Sequence, residues 1–169
     1  ATGASLGYLY IRGEYPDAEA RVRNAILLAR EAGLLGSDIL GSGFACDINV
    51  IRGAGAYVCG EASGLLASVE GKRGYPRNRP PRLTVHGLYQ RPTVVNNVET
   101  LSNIAGIVAT GAEAFKKIGV PKCPGTQLVS ISGHIARPGV YEIEYGYPLK
   151  TFLYDDCGGM LGGKKLKCI

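Results

Sequence analysis

The order strand, helix, strand, glycine turn in the first third of this 169-residue chain constrains its fold more than any other feature. "YLYI" at residues 8–11 and "FACDINVI" at 44–51 have the aromatic and β-branched composition of strands. Between them, Val22, Ala25, Ile26 and Ala29 recur at the spacing of one helix face. That helix is expected to open near Pro16-Asp17, where a fixed φ and a carboxylate suit a first turn, and to stop at Gly33. A helix joining two strands over this distance implies a parallel pair and a βαβ unit. Gly53-Ala54-Gly55 follows the second strand, and residues 61–69 then read as another helix, with Leu65, Leu66 and Val69 inward. The expected class is therefore α/β.

The glycine turn does not carry either common nucleotide fingerprint. A dinucleotide motif places its third glycine at position 58, where this chain has Val58, and no G-x-x-x-x-G-K-[ST] run occurs. What remains is a strand-to-helix turn whose N–H groups can face a phosphate or a ring carbonyl. At the helix start, Glu61 suits the positive end of the helix dipole, and alone it supplies no acid–base pair.

Residues 71–92 are rich in Pro, Gly and Arg and aperiodic, which predicts an ordered loop or an extended segment. Much of the net charge of +5 sits there, in Lys72, Arg73, Arg77, Arg79, Arg82 and Arg91, so an anionic partner is expected. Prolines and scarce aromatics make this stretch unlike a stacking groove for single-stranded nucleic acid. Further on, Asn96 and Glu99 have capping-box spacing ahead of Val98, Leu101, Ala105 and Val108, so a helix is predicted from about 96 to 111. "PKCPG" at 121–125 reads as a linker. "TQLVSISG" and "VYEIE" read as two strands, and "PLKTFLYDDCGG" as a short helix closed by glycines. These make a second, smaller α+β module.

The five cysteines, Cys46, Cys59, Cys123, Cys157 and Cys168, contain no C-x-x-C pair, which excludes the usual zinc and iron–sulfur spacings. His86 and His134 have no third partner for a metal site or a triad. No apolar run approaches the roughly 20 residues of a membrane span.

Several long motifs, in order, carry a resemblance that covers nearly the whole chain: "YLYIRGEY", "AREAGLLGSDILGSGF", "RGAGAYVCGE", "SVEGKRGYPRNRPP", "PTVVNNVETL" and "SISGHIARPGVYE". Together they resemble the NADH-binding flavoprotein subunit of respiratory complex I and its relatives in NAD-linked hydrogenases and formate dehydrogenases. The resemblance implies the C-terminal part of an FMN/NADH-binding domain with a Rossmann-like sheet over residues 1–120. It implies the start of a β-grasp (ubiquitin-like) soluble-ligand-binding module over 121–169. Carried over by position, Tyr57, Gly60, Glu61, Val95, Asn96, Asn97 and Thr100 line the FMN, and Arg79 and Arg82 lie toward NAD(P)H. No residue is assigned a catalytic role or a metal. The family's four-iron cluster ligands, its glycine-rich phosphate loop and its acidic Asn-Asp-Glu loop have no counterpart in these 169 residues.

Two positions depart from the family pattern. Ala62 stands where a second glutamate is usual, and Arg82 where an aromatic helps to hold adenine; its guanidinium can stack on the base or pair with an extra phosphate. The implied activity is hydride transfer from nicotinamide to FMN, with electrons passed to iron–sulfur subunits of a complex in the cytoplasm or on the cytoplasmic or matrix side of a membrane. The 169 residues alone are expected to be inactive. The alternative is a shortened, non-catalytic scaffold subunit that docks a partner through its basic loop and β-grasp surface.

Overall fold

The computed structural model describes residues 2–169, which form two compact units, one ending at Val95 and one beginning at Asn96. It is a mixed α/β protein with small parallel and antiparallel sheets.

In the first unit, β1 (Leu6–Ile11) pairs in parallel with β2 (Asp47–Arg52), in register from Leu6 opposite Asp47 to Ile11 opposite Arg52. The crossover is α1 (Pro16–Glu31), which has Pro at its start, Asp17 and Glu19 in its first turn and Arg30 in its last. Those charges complement the helix dipole at both ends. Arg30 also locks α1 onto the sheet, with Nε and Nη2 donating to the two Asp47 carboxylate oxygens at 2.9 and 3.0 Å, and Nη2 also to the Ile48 carbonyl at 3.1 Å. The chain leaves the helix through Gly33, at φ 69°. Strand β2 starts later than its composition suggests, and Phe44 remains exposed before it.

Helix α2 (Ala62–Val69) follows the glycine turn and a 3-10 turn at Tyr57–Gly60. Ile26, Cys59, Ser63, Leu66 and Leu88 are the buried side chains of this unit. Beyond α2 the basic segment forms an ordered loop, with one 3-10 turn at Leu88–Gln90.

In the second unit, α3 (Val98–Thr110) and the short α4 (Ala112–Phe115) precede β3 (Gly119–Val120) and β4 (Cys123–Pro124). "PKCPG", expected to be a linker, is instead the turn and return arm of this antiparallel hairpin, where Val120 pairs with Cys123. Strands β5 (Thr126–Ile131) and β6 (Gly139–Glu144) are antiparallel, with Thr126 opposite Glu144. Helix α5 (Leu149–Thr151) runs into a π turn at Phe152–Asp156. That turn sets Phe152, Leu153 and Cys157 with Ile135 in the core, against Val129, Ile131, Tyr141 and Ile143. The Phe152 and Tyr141 rings meet edge to face at 5.4 Å, the arrangement that aromatic quadrupoles favour.

The capping box expected at Asn96 and Glu99 does not form. The helix cap is Asn97, which makes no side-chain cap bond. Glu99 turns away from the helix start, and its carboxylate accepts the Leu128 N–H at 3.1 Å, tying α3 to β5.

Candidate functional site

The turn from Arg52 to Glu61 is built around close backbone approach. A side-chain carbon at Gly53 would run into the Tyr10 hydroxyl and lie 2.7 Å from its ring carbon, so only glycine leaves room for Tyr10 to cross beneath. The Tyr10 hydroxyl is within 3.0 Å of Ser68 Oγ, which links β1 to α2. Burial pushes the Tyr10 phenol pKa up, and the Ser68 bond partly opposes it. Gly55 has φ 90°, a conformation that side chains rarely adopt.

Gly13, Glu14 and the segment 52–55 line an open cleft of about 500 Å³ at the carboxyl ends of the two parallel strands. That is where open α/β sheets bind ligands. Glu14 faces this cleft and bonds Arg12 at 2.6 Å, and this pairing holds its carboxyl below the usual range. In the sequence, Glu14 is marked only by a glycine and a carboxylate directly after a parallel strand.

The resemblance-derived residues of the first unit fall on the next turn. Tyr57 is 89% exposed at the start of the 3-10 turn that ends in Gly60. A side-chain carbon on Gly60 would meet nothing within 4 Å, so the backbone there is open on that side. Glu61 caps α2: its Oε2 accepts the N–H of Ser63 at 2.8 Å and of Gly64 at 2.9 Å, and the Ser63 hydroxyl also donates to it. The Ser63 bond is the main cause of the lowered Glu61 pKa, followed in favour of the anion by the two backbone donors and the Arg79 charge, against a cost of desolvation.

This cap corrects one expectation. The N–H groups at the head of α2 were expected to be able to face a phosphate, but Glu61 already occupies those of Ser63 and Gly64. The turn therefore offers an open backbone edge, an exposed phenol ring and a carboxylate fixed on its own helix.

Arg79 Nη2 lies 3.5 Å from Glu61 Oε1. Arg77 pins the loop from two sides, its N–H donating to Ser63 Oγ at 2.8 Å and its guanidinium to the His86 carbonyl at 3.0 Å. Arg82 is exposed, with no ion pair or side-chain hydrogen bond among the described residues. Val95 is half-buried at the end of the first unit. In the second unit, Asn96, Asn97 and Thr100 cluster, exposed, at the head of α3. The side-chain amides of both asparagines are unused by other described residues, and each carries donors and an acceptor. The described residues contain no group of three or more His, Cys, Asp or Glu able to hold a metal.

The model of the Nuo51 FMN-binding domain matches residues 1–106. The chain belongs to this family. It is 47% identical, over all 169 residues, to an NADH-quinone oxidoreductase subunit of Aquifex aeolicus, and spans 40% of that protein. It is 46% identical to the NADP-reducing hydrogenase subunit HndC of Solidesulfovibrio fructosivorans, covering all of this chain and 34% of that one. A crystal structure of an NAD+-reducing NiFe-hydrogenase in the H2-reduced state superposes with a TM-score of 0.82 at 39% identity, over 95% of this chain and 26% of the other. The chain thus spans well under half the length of these relatives. Among the described residues, no helix is long and apolar enough to cross a membrane.

Proposed function

We propose that these residues are one segment of an FMN-containing NAD(P)H dehydrogenase subunit of a multi-subunit electron-transfer complex. Residues 1–120 would be the C-terminal part of its flavin domain, and 121–169 the start of a β-grasp module. The observation that carries this reading is the turn at 57–61, where an exposed Tyr, an open glycine backbone and a buttressed carboxylate adjoin, inside a segment that matches an FMN-binding family.

Tyr57 offers its ring edge to the flavin, and the backbone at Gly60 lets the ring system approach. By the family pattern Val95, Asn96, Asn97 and Thr100 also belong to the flavin site, and the two asparagine amides carry the donors that ring carbonyls or ribityl hydroxyls would accept from. Glu61 stays ionised and orders the turn, because four donors point at it. When bound, FMN supplies the redox chemistry: it accepts a hydride from the nicotinamide and releases electrons singly to iron–sulfur partners. The protein's share is to place the rings and exclude water, which is consistent with the lack of an evident acid–base pair at the turn. The expected partners are iron–sulfur subunits, and the expected place is the cytoplasm or the cytoplasmic or matrix face of a membrane complex.

The test is flavin retention by the complete subunit. Tyr57→Ala and Asn97→Ala are each expected to lower FMN occupancy while leaving the circular dichroism spectrum unchanged, since both side chains are exposed. Full occupancy in the double variant would refute this placement of the flavin.

A further inference from the structure

The two edges of the β1–β2 sheet differ. The Asp47 N–H donates to the Ser5 carbonyl at 3.0 Å and the Gly53 N–H to the Ile11 carbonyl at 2.7 Å. With the parallel register, this makes the odd-numbered residues of both strands the ones that bond across the pair. In a strand the N–H and C=O of one residue point to the same side, and successive residues alternate. Leu6, Tyr8 and Tyr10 therefore direct their backbone groups away from β2, and Ile48, Val50 and Arg52 direct theirs away from β1.

On the β2 side the edge is closed by side chains. The Ile48 N–H donates to Asp47 Oδ1 at 2.8 Å, the Ile48 carbonyl accepts from Arg30 Nη2 at 3.1 Å, and the Val50 carbonyl accepts from Arg23 Nη2 at 3.4 Å. Both arginines stand on α1 and are steadied by carboxylates, Arg30 by Asp47 and Arg23 by Glu19. Charged side chains laid along an edge are one way that proteins prevent further pairing. On the β1 side, neither the N–H nor the C=O of Leu6, Tyr8 or Tyr10 has a partner among the described residues. The compositions agree with this difference. Strand β1, LGYLYI, has no charged or amide side chain, as in a strand flanked on both sides, whereas β2, DINVIR, carries Asp47, Asn49 and Arg52.

We propose that the free edge of β1 takes one further strand, supplied by the rest of the same polypeptide, and that β2 ends the sheet. A parallel pair alone leaves too much backbone and apolar surface uncovered, and the chain spans only 40% and 34% of two relatives that it matches along its whole length. The added segment is apolar and of about the length of β1. The inference rests on the reading that these residues are one segment of a longer subunit, and specifies on which side its sheet grows.

Residue-resolved amide hydrogen exchange on the complete subunit tests it. The Tyr8 and Tyr10 amides are expected to exchange about a hundredfold more slowly than the Val50 amide, since a central-strand amide opens only with its whole unit whereas an edge amide opens locally. The protection should be the same in dilute, monomeric subunit as in concentrated samples. Free exchange at Tyr8 and Tyr10, or equal protection at Val50, would overturn the assignment of the two edges. Protection that appears only on self-association would make a second copy the occupant, and protection that appears only in the assembled complex would make it another subunit; either result overturns the proposal. Flavin content is measured on the same samples. A flavin-loaded subunit with unprotected Tyr8 and Tyr10 defeats the added strand alone, whereas protection in a subunit that takes up no flavin sustains the strand and defeats the flavin reading.

Discussion

Replacing Glu61 with Ala removes three acceptor contacts at once. The N–H groups of Ser63 and Gly64 lose their only side-chain partner, and the Ser63 hydroxyl, in a residue just 1% exposed, loses the oxygen it donates to. Loss of a helix cap costs about 0.5–2 kcal/mol, and an orphaned buried hydroxyl adds about 1 kcal/mol. The Arg79 contact adds little, because it is long and both side chains are substantially exposed. A total of about 2 kcal/mol corresponds to a fall in Tm of about 4–8 °C for a chain of this size. The decisive assay is residue-resolved amide hydrogen exchange: protection at Ser63 and Gly64 should drop sharply, and Glu61→Gln, which keeps one acceptor oxygen, should retain part of it. The effect also has a pH signature. The folded protein holds the Glu61 pKa below its unfolded value, so the stabilisation is present above about pH 4.3, the ordinary glutamate pKa, and disappears as pH falls through the lower folded value. Unchanged exchange at both amides in Glu61→Ala would refute the cap as the organiser of this turn.

Gly53→Ala should destabilise the first unit by about 1–3 kcal/mol, because the new methyl collides with Tyr10; urea denaturation reads it, and Tyr10→Leu should relieve it. Arg30→Ala should cost only about 0.5–1 kcal/mol, since the Asp47 pair is exposed, and the difference should shrink in high salt. Phe152→Ala should cost about 3–5 kcal/mol in the second unit by opening its core beside Tyr141, seen as loss of the near-ultraviolet tyrosine signal.

The βαβ order was legible because strand composition, helical period and the Pro16 and Gly33 punctuation agreed with one another. Helix α2 was legible for the same reason. At Asn96 the pattern misled, because the capping box is a local signal and Glu99 found a stronger tertiary partner in the Leu128 N–H. "PKCPG" looked like a linker since Pro and Gly mark hairpin turns and connections alike. The anion-binding potential of α2 was overestimated: spacing shows that a carboxylate begins a helix, but not that it folds back onto the helix's own donors. Glu14 and Tyr10 escaped notice because their roles depend on contacts with the segment 52–55 and with Ser68, which lie some 40 to 58 residues away in sequence. The site residues themselves came from motif resemblance; periodicity and charge alone reach only an α/β unit with an open turn.

The central claim is that this segment serves a flavin, with Tyr57 and Asn97 each contributing to its retention. Its most direct test is the visible flavin absorption of the complete subunit before and after anaerobic addition of reduced nicotinamide nucleotide. The account predicts a bound flavin band that bleaches on addition, with both the band and the bleaching lost in the Tyr57→Ala, Asn97→Ala double variant. A subunit that carries no flavin, or a double variant that holds and reduces it as the parent does, would contradict the account.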